Sequence, residues 1–427
     1  MSAPRLTLEH ARASDAADPL RGLRSRFSRP HDERGEPLLY LCGHSLGLMP
    51  LAAREEIAQE LDDWERLGVL GHHSARRPWI AYQDELRPRL AELLGCRDDE
   101  VVMMNSLTVN LHLMLASFYR PVGRRRCLLI ESGAFSSDRY AVMSQLQWHG
   151  LDPRECLIEI APQSGEDLIR EELIERVLAE RGAEIALVLW PGVQYLTGQA
   201  FDLPRLSAAV RRAGALIGFD LAHSVGNMPL ALRDSEPDFA VWCSYKYLNA
   251  GPGAIGGCYI NSRHFTTPGR QRLAGWWGNE ATTRFDMSHD FQAGQGICGF
   301  QVSNQSVLST APLIASLAMF REAGMARLRA KSLALNAFLG QLFAERLPKL
   351  HVVTPQEPAR RGAQLSLRVG GGAARGRRVF QWLAQHQVVC DWREPDIIRV
   401  SQVPLYNSFE DGFRFVERLQ QALQQNP

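Results

Sequence analysis

Lys246 is one of only three lysines in a 427-residue chain whose 48 basic residues are otherwise arginine. That bias gives each remaining amine a meaning, because an ε-amine can lose its proton and attack a carbonyl whereas a guanidinium cannot. Lys246 stands in WCSYKYLNAGPGAIGG (242–257), between Tyr245 and Tyr247, just past an apolar run and before a series of small residues. Upstream, GFDLAHSVG (218–226) sets Asp220 and His223 at the end of a second apolar run. A lysine that forms a Schiff base, with a carboxylate that keeps a pyridine nitrogen protonated, is what pyridoxal 5′-phosphate requires. Asp220 alone would read as an ordinary strand-end acid. Joined to the rare lysine, it favours the cofactor. Lys331 and Lys349 lie on or near surface-type helices and compete poorly.

A phosphate needs donors, and helix N-termini supply them. MNSLTVNLH (104–112) offers Leu107 and Thr108 at the start of a helix behind a strand. GAFSSDRY (133–140) offers Ser136 and Ser137 at a second, with Phe135 placed to stack on a flat ring. Singly these are helix caps and a core phenylalanine; as a set they outline a site. Two other motifs compete. GHSLG (43–47) fits the G-x-S-x-G of a serine nucleophile, which needs a strand before the serine and a helix directly after it. Pro50 disfavours that helix, and few residues precede Gly43. GPGAIG (251–256) matches the dinucleotide pattern G-x-G-x-x-G but contains a proline, and GRQRLAG further on supplies no acid. It reads as a turn into a strand.

The elements that must position these groups follow from periodicity. Helical spacing covers 51–68 and the region near 80–94. From Val101 short apolar runs (VVMMNS, RCLLIES, ECLIEIAP, EIALVLWPG, ALIGFDLA, FAVWCS) alternate with amphipathic stretches, including 135–148, 167–181 and 204–213. Strands alternating with helices predict an α/β domain with a mostly parallel sheet, whose ligands bind beyond the carboxyl ends of the strands. GAIGGCYIN (253–261) predicts a further strand. After about Thr310 one long helical stretch leads to strands near 351–354, 364–369 and 397–401, interleaved with helices near 376–386 and 408–424. We expect an N-terminal arm and helix over 1–70, a large cofactor-binding domain over 71–309 and a small α+β domain over 310–427.

Composition narrows the class. A net charge of +1 gives no field for nucleic acid or an anionic membrane, so neither is expected as a partner. No apolar run is long enough to span a bilayer, MSAPRLTLEHARASD has no signal-peptide core, and the eight cysteines include no C-x-x-C pair. The expectation is a cytoplasmic protein with no metal site.

From Tyr40 to Phe415 the chain resembles the kynureninases, fold type I pyridoxal-phosphate enzymes of the class V aminotransferase-like group. The resemblance rests on extended segments: GHSLGL, RPW, NSLTVNLHLML, MSQLQWHGL, PGVQYLTGQ, GFDLAHSVGN, WCSYKYLNAG, GWWGN, GICGFQVSN and RVSQVPLYNSF. It implies that Lys246 is the Schiff-base lysine, that Asp220 pairs with the pyridine nitrogen and that His223 supports the ring. Leu107, Thr108, Phe135 and Asp138 would hold the cofactor, with Ser136 and Ser137 beside them. Tyr245 would reach the phosphate and serve as a proton donor, and Trp276 and Asn304 would complete the pocket. Arg399 would take the substrate α-carboxylate as a planar fork. His72 would contact the aromatic end of the substrate. The family's usual G-N-S-L-G-L is a substrate-side loop, which makes Ser45 a binding hydroxyl. His44 replaces the usual asparagine, and Asn279 stands where histidine is common.

The implied reaction is hydrolysis of the Cβ–Cγ bond of L-kynurenine or 3-hydroxy-L-kynurenine, giving L-alanine and an anthranilate. His72 with Asn304 matches the pattern that favours the 3-hydroxy substrate. Fold type I implies a homodimer in which Trp276 and Asn304 serve the neighbouring subunit. An aminotransferase or a cysteine desulfurase would share the Asp220–Lys246 pair, although no cysteine sits in an obvious mobile loop. A serine hydrolase using GHSLG is the alternative from another class.

Overall fold

The structure, a computed structural model, describes residues 6–267 and 269–426. The first five residues of the expected N-terminal arm lie outside the described residues. Seven strands form the large sheet: β1 (Val101–Met103), β2 (Cys127–Glu131), β3 (Leu157–Ile160), β4 (Ile185–Pro191), β5 (Leu216–Asp220), β6 (Phe239–Cys243) and β7 (Gly256–Ile260). Their order is β1-β7-β6-β5-β4-β2-β3, parallel from β6 through β3, with β7 antiparallel to both its neighbours. The central strands are apolar runs without alternation because helices cover both faces, and β2 and β6 are buried at every residue. GPGAIG runs into β7 and not into a helix. The sheet is that of the expected α/β, fold type I architecture.

A second, antiparallel sheet joins β8 (His351–Val352), β9 (Gln364–Arg368), β10 (Asp391–Arg393) and β11 (Ile397–Ser401) in the order β10-β11-β9-β8. It has its own apolar cluster, in which Leu367 and Ile398 meet Phe415 and Leu419 of the C-terminal helix Phe409–Gln425. The helix Leu8–Ala17 is anchored to that last helix by Asp15, whose carboxylate accepts the amides of Phe409 (2.7 Å) and Glu410 (3.0 Å). Among the described residues no helix is long and apolar enough to cross a membrane.

Three local expectations are corrected. The long helical stretch after Thr310 is two helices, Val307–Ala323 and Met325–Arg346, divided by Gly324 at φ +74°. Glycine adopts that conformation without the penalty a Cβ would bring, and the chain turns there. The helix expected from 167 starts at Glu171. Lys331 is not on a surface face. It is buried and pairs with Asp18 at 2.7 Å, each side chain only 6% exposed. Asp18 also accepts the amide of Leu20, so the pair pins the N-terminal segment against the helix Met325–Arg346. Removing one member of a buried pair leaves an uncompensated charge, at a cost of about 3–5 kcal/mol. Lys331→Met should therefore lower the thermal unfolding midpoint, and adding Asp18→Asn should recover part of the loss. An unchanged midpoint in Lys331→Met would refute the pair's role.

Candidate active site

β5 and β6 are parallel neighbours with Asp220 paired to Val241, so their carboxyl ends open on the same side. Asp220 ends β5, and Lys246 lies three residues beyond the end of β6. They share a cavity with Leu107, Thr108, Phe135, Ser137, Asp138, His223 and Tyr245. The Lys246 amine lies 3.0 Å from His223 Nε2 and 5.9 Å from the centre of the Phe135 ring. Asp220 is fixed by the amide of Ala222, which donates to Oδ1 at 2.7 Å.

Two helix starts converge on this cavity. Ser106 and Phe135 precede the helices Leu107–Phe118 and Ser136–Trp148, and neither caps its helix with a side-chain hydrogen bond. The leading amides, Leu107 and Thr108 in the first helix and Ser136 and Ser137 in the second, are left for another acceptor, while the Asp138 amide already donates to the Phe135 carbonyl at 2.9 Å. The helices are tied together by Thr108 Oγ1 and Ser137 Oγ, 2.7 Å apart. Ser136 is exposed at the head of the second helix.

The electrostatics of the floor are unusual. Glu131, at the end of β2, is buried and pushed up to about 8 by desolvation, although Gln194 donates to it at 3.3 Å. Asp138 is raised well above the ordinary carboxylate range, first by burial and then by the charge of Asp220. Burial thus raises both Asp138 and Glu131, which share the floor of the cavity with Asp220. His223 is uncharged, its pKa driven down by burial and by Lys246. Tyr245 is raised, first by burial and then by Cys243, so its hydroxyl keeps its proton. Asp138 Oδ1 and His223 Nδ1 are buried without a partner among the described residues. An amine, a carboxylate, two open helix N-termini, an aromatic face and two orphaned polar atoms suit a planar phosphorylated pyridine aldehyde.

Arg399 lies on β11, buried at 1% exposure, with its register partner Asp391 across the hairpin on β10. Nε donates to Asp391 Oδ1 at 2.7 Å, Nη2 to Oδ2, and Nη1 to the Tyr195 carbonyl at 2.6 Å. A guanidinium has five donors, so these three bonds leave one on each terminal nitrogen. That pair can donate to a second carboxylate. Tyr195 connects the two regions: it lines the Lys246 cavity, meets Phe135 edge-on at 5.2 Å and lies 5.9 Å from the Arg399 guanidinium. Asp391, Tyr195, Gln194 and Glu131 were all missed by reading residues alone.

The GHSLG loop is not a nucleophile elbow. No helix follows Ser45 directly; the next begins at Ala52. The Gly47 amide donates to the Tyr245 carbonyl at 2.8 Å, and a Cβ at Gly47 would collide with Asn249 and the Lys246 carbonyl. The second glycine of the motif thus serves a close approach to the lysine loop, while Ser45 is half-buried and does not line the Lys246 cavity. His72 and Asn304 are brought together elsewhere, in a second cavity with Trp79 and Trp277. Trp276 is 47% exposed and donates to the Arg284 carbonyl, outside the Lys246 cavity. Asn279 is tied into the same segment by accepting the Gln292 amide at 2.8 Å.

Comparison with known proteins gives the family and the fold. Residues 328–419 match the model of the kynureninase C-terminal domain. A kynureninase of Xanthomonas euvesicatoria is 53% identical over 97% of this chain and 98% of its own length. One of Stenotrophomonas maltophilia is 51% identical with the same coverage. Among solved structures, a C-DES mutant with glycine covalently linked to its PLP cofactor superposes with a TM-score of 0.75 at 20% identity, covering 90% of this chain and 96% of that one. The cysteine desulfurase CsdA of Escherichia coli gives 0.75 at 17% identity, over 96% and 99%. The distant structures establish the fold and the near relatives decide between its members: the chain belongs to the kynureninase family of fold type I pyridoxal-phosphate enzymes.

Proposed function

We propose that this enzyme hydrolyses the Cβ–Cγ bond of L-kynurenine and 3-hydroxy-L-kynurenine, releasing L-alanine and the corresponding anthranilate, with preference for the 3-hydroxy substrate. The observation that carries the reading is the convergence of Lys246, Asp220 and two uncapped helix starts on one cavity, within reach of an arginine fork. Bound pyridoxal phosphate supplies the electron sink that makes carbanion character at the substrate's Cα and Cβ accessible. The chain's own groups do the rest. The first-turn amides at Leu107, Thr108, Ser136 and Ser137 hold the phosphate, and Phe135 covers the ring face. Asp220, supported by Asp138, would hold a proton at the pyridine nitrogen, and His223 would lie on the ring's side of the cavity. Lys246 Nζ would move the proton at the substrate's Cα. Arg399 orients the α-carboxylate, and Ser45 offers a hydroxyl on the substrate side. Water would add to the γ-carbonyl and the Cβ–Cγ bond would break, the acyl carbon leaving as the anthranilate carboxyl; Tyr245, which keeps its hydroxyl proton, would give that proton to Cβ and regain one from the attacking water.

Trp276, His72 and Asn304 are supported as contributions to a partner's site in a homodimer, since they lie outside the Lys246 cavity. His72 and Asn304, which line one cavity, offer polar groups suited to a ring hydroxyl. The same reading places the enzyme in the cytoplasm and divides it into an arm (1–70), a cofactor domain (71–309) and a small domain (310–427).

The test is a visible spectrum of the purified holoenzyme, followed by each kynurenine in turn with fluorescence detection of the anthranilate. Turnover of neither substrate by the yellow protein would overturn the function. His72→Trp with Asn304→Thr should erode the 3-hydroxy preference by about tenfold, the scale of one buried hydrogen bond to substrate. Unchanged relative kcat/KM for the two substrates would exclude the pair from specificity.

A further inference from the structure

His44, inside GHSLG, has no role in the chemistry described so far. Its side chain is fully buried, and neither ring nitrogen has a well-aligned hydrogen-bond partner among the described residues. Leaving a buried imidazole in that condition is costly, so its placement calls for a reason. It faces Asp391, with Nε2 3.3 Å from Oδ1. The same carboxylate grips Arg399 through two donors and receives Arg393 Nη2 at 3.1 Å.

A carboxylate only accepts, so the nitrogen turned toward it carries the proton, which makes His44 the Nε2–H tautomer. The ring is uncharged, its pKa pushed down to about 4 by burial and then by Arg399. The charged and titratable groups around it are Asp391, Arg399, Lys246, Cys42 and His223. Cys42, His44 and Asp391 are of metal-binding types with ligand atoms within 4.8 Å of one another. However, two arginines already occupy Asp391 and Lys246 adds a third positive charge, so a cation is disfavoured there. A neutral donor suits the place better. It steadies the carboxylate without cancelling the charge that holds Arg399.

We propose that His44 is a positioning residue for recognition of the substrate's α-carboxylate, acting through Asp391 to fix the Arg399 fork. The inference rests on the reading of Arg399 as the carboxylate-binding group. Its test compares holoenzyme variants using kynurenine as substrate, with kynuramine, the same molecule without the carboxylate, as a competitive ligand. His44→Phe, or His44→Leu if the first does not accumulate folded, should raise KM about tenfold, the effect of loosening one charge-assisted contact. kcat should stay within about twofold, as expected for loss of uniform binding. Kynuramine affinity should not move. His44→Asn, which keeps an N–H donor, should restore KM.

An equal loss of kynuramine affinity, or a KM unchanged in every variant, overturns the inference. Arg399→Gln separates the two levels. If it leaves the preference for the carboxylated ligand intact, the Arg399 reading falls and this inference with it. If it abolishes the preference while His44→Phe and His44→Leu retain it, only the inference falls.

Discussion

Lys246→Ala should yield a folded protein that turns over kynurenine more than about 1,000-fold more slowly than wild type, the scale of losing an essential proton-transfer group. The fold should survive because the amine is no structural keystone. It is half-buried, its amine lies 3.0 Å from His223 Nε2, and His223 is already uncharged. Losing the ammonium also removes a charge that lowers the pKa of Asp138. Asp138 would then hold its proton more firmly, and the buried trio with Glu131 and Asp220 would remain tolerable. The check is threefold: circular dichroism and melting for the fold, the visible spectrum for a lysine-linked chromophore, and single-turnover assays for residual chemistry. Partial rescue by added methylamine would identify the lost function as an amine. Substantial turnover without rescue would refute the assignment of Lys246.

Why Lys246 and Asp220 were legible, and Asp391 was not, is a matter of range. Asp220 ends one apolar strand and Lys246 lies just past its neighbour, and parallel packing of adjacent strands brings such ends together whatever the loops do. Thr108 and Ser137 follow from two helix starts for the same reason. Asp391 depends on a hairpin whose first strand is three residues long, DWR, too short for alternation to show. Only the register Asp391↔Arg399 reveals that the carboxylate carries the arginine. Glu131 was hidden differently, because LLIE reads as an apolar strand and its acidic end as surface. Lys331 looked solvent-facing because its partner Asp18 belongs to a segment far away in the chain. His72 and Asn304 were named by resemblance alone, and no local pattern says that they meet. Local geometry is written in short windows; charge pairing across the chain is not.

Arg399→Gln should raise KM for kynurenine about 100-fold, within the range for truncating one partner of a buried, hydrogen-bonded charge pair. Two donors of the guanidinium, one on each terminal nitrogen, are free for an incoming carboxylate because Asp391 and the Tyr195 carbonyl take the other three. Glutamine keeps a planar end but loses the charge. Arg399→Lys keeps the charge but loses the fork, and should fall between wild type and Arg399→Gln. Asp391→Asn should also raise KM, since an amide cannot accept both Arg399 donors, yet it should add little when Arg399 is already glutamine. That non-additivity distinguishes a positioning carboxylate from an independent one. Burial alone would raise the Asp391 pKa, but the hydrogen bonds from Arg399 and the close approach of His44 outweigh it and hold the carboxyl well below its usual range. The clamp is thus fully formed above about pH 4, the unfolded value, and its stabilisation is lost as pH falls toward the folded pKa. KM for kynurenine should therefore show no inflection from Asp391 near neutrality in wild type. If Arg399→Gln and Asp391→Asn prove additive in a kinetic cycle, the two residues do not act as one unit, and the fork must be held by Tyr195 instead.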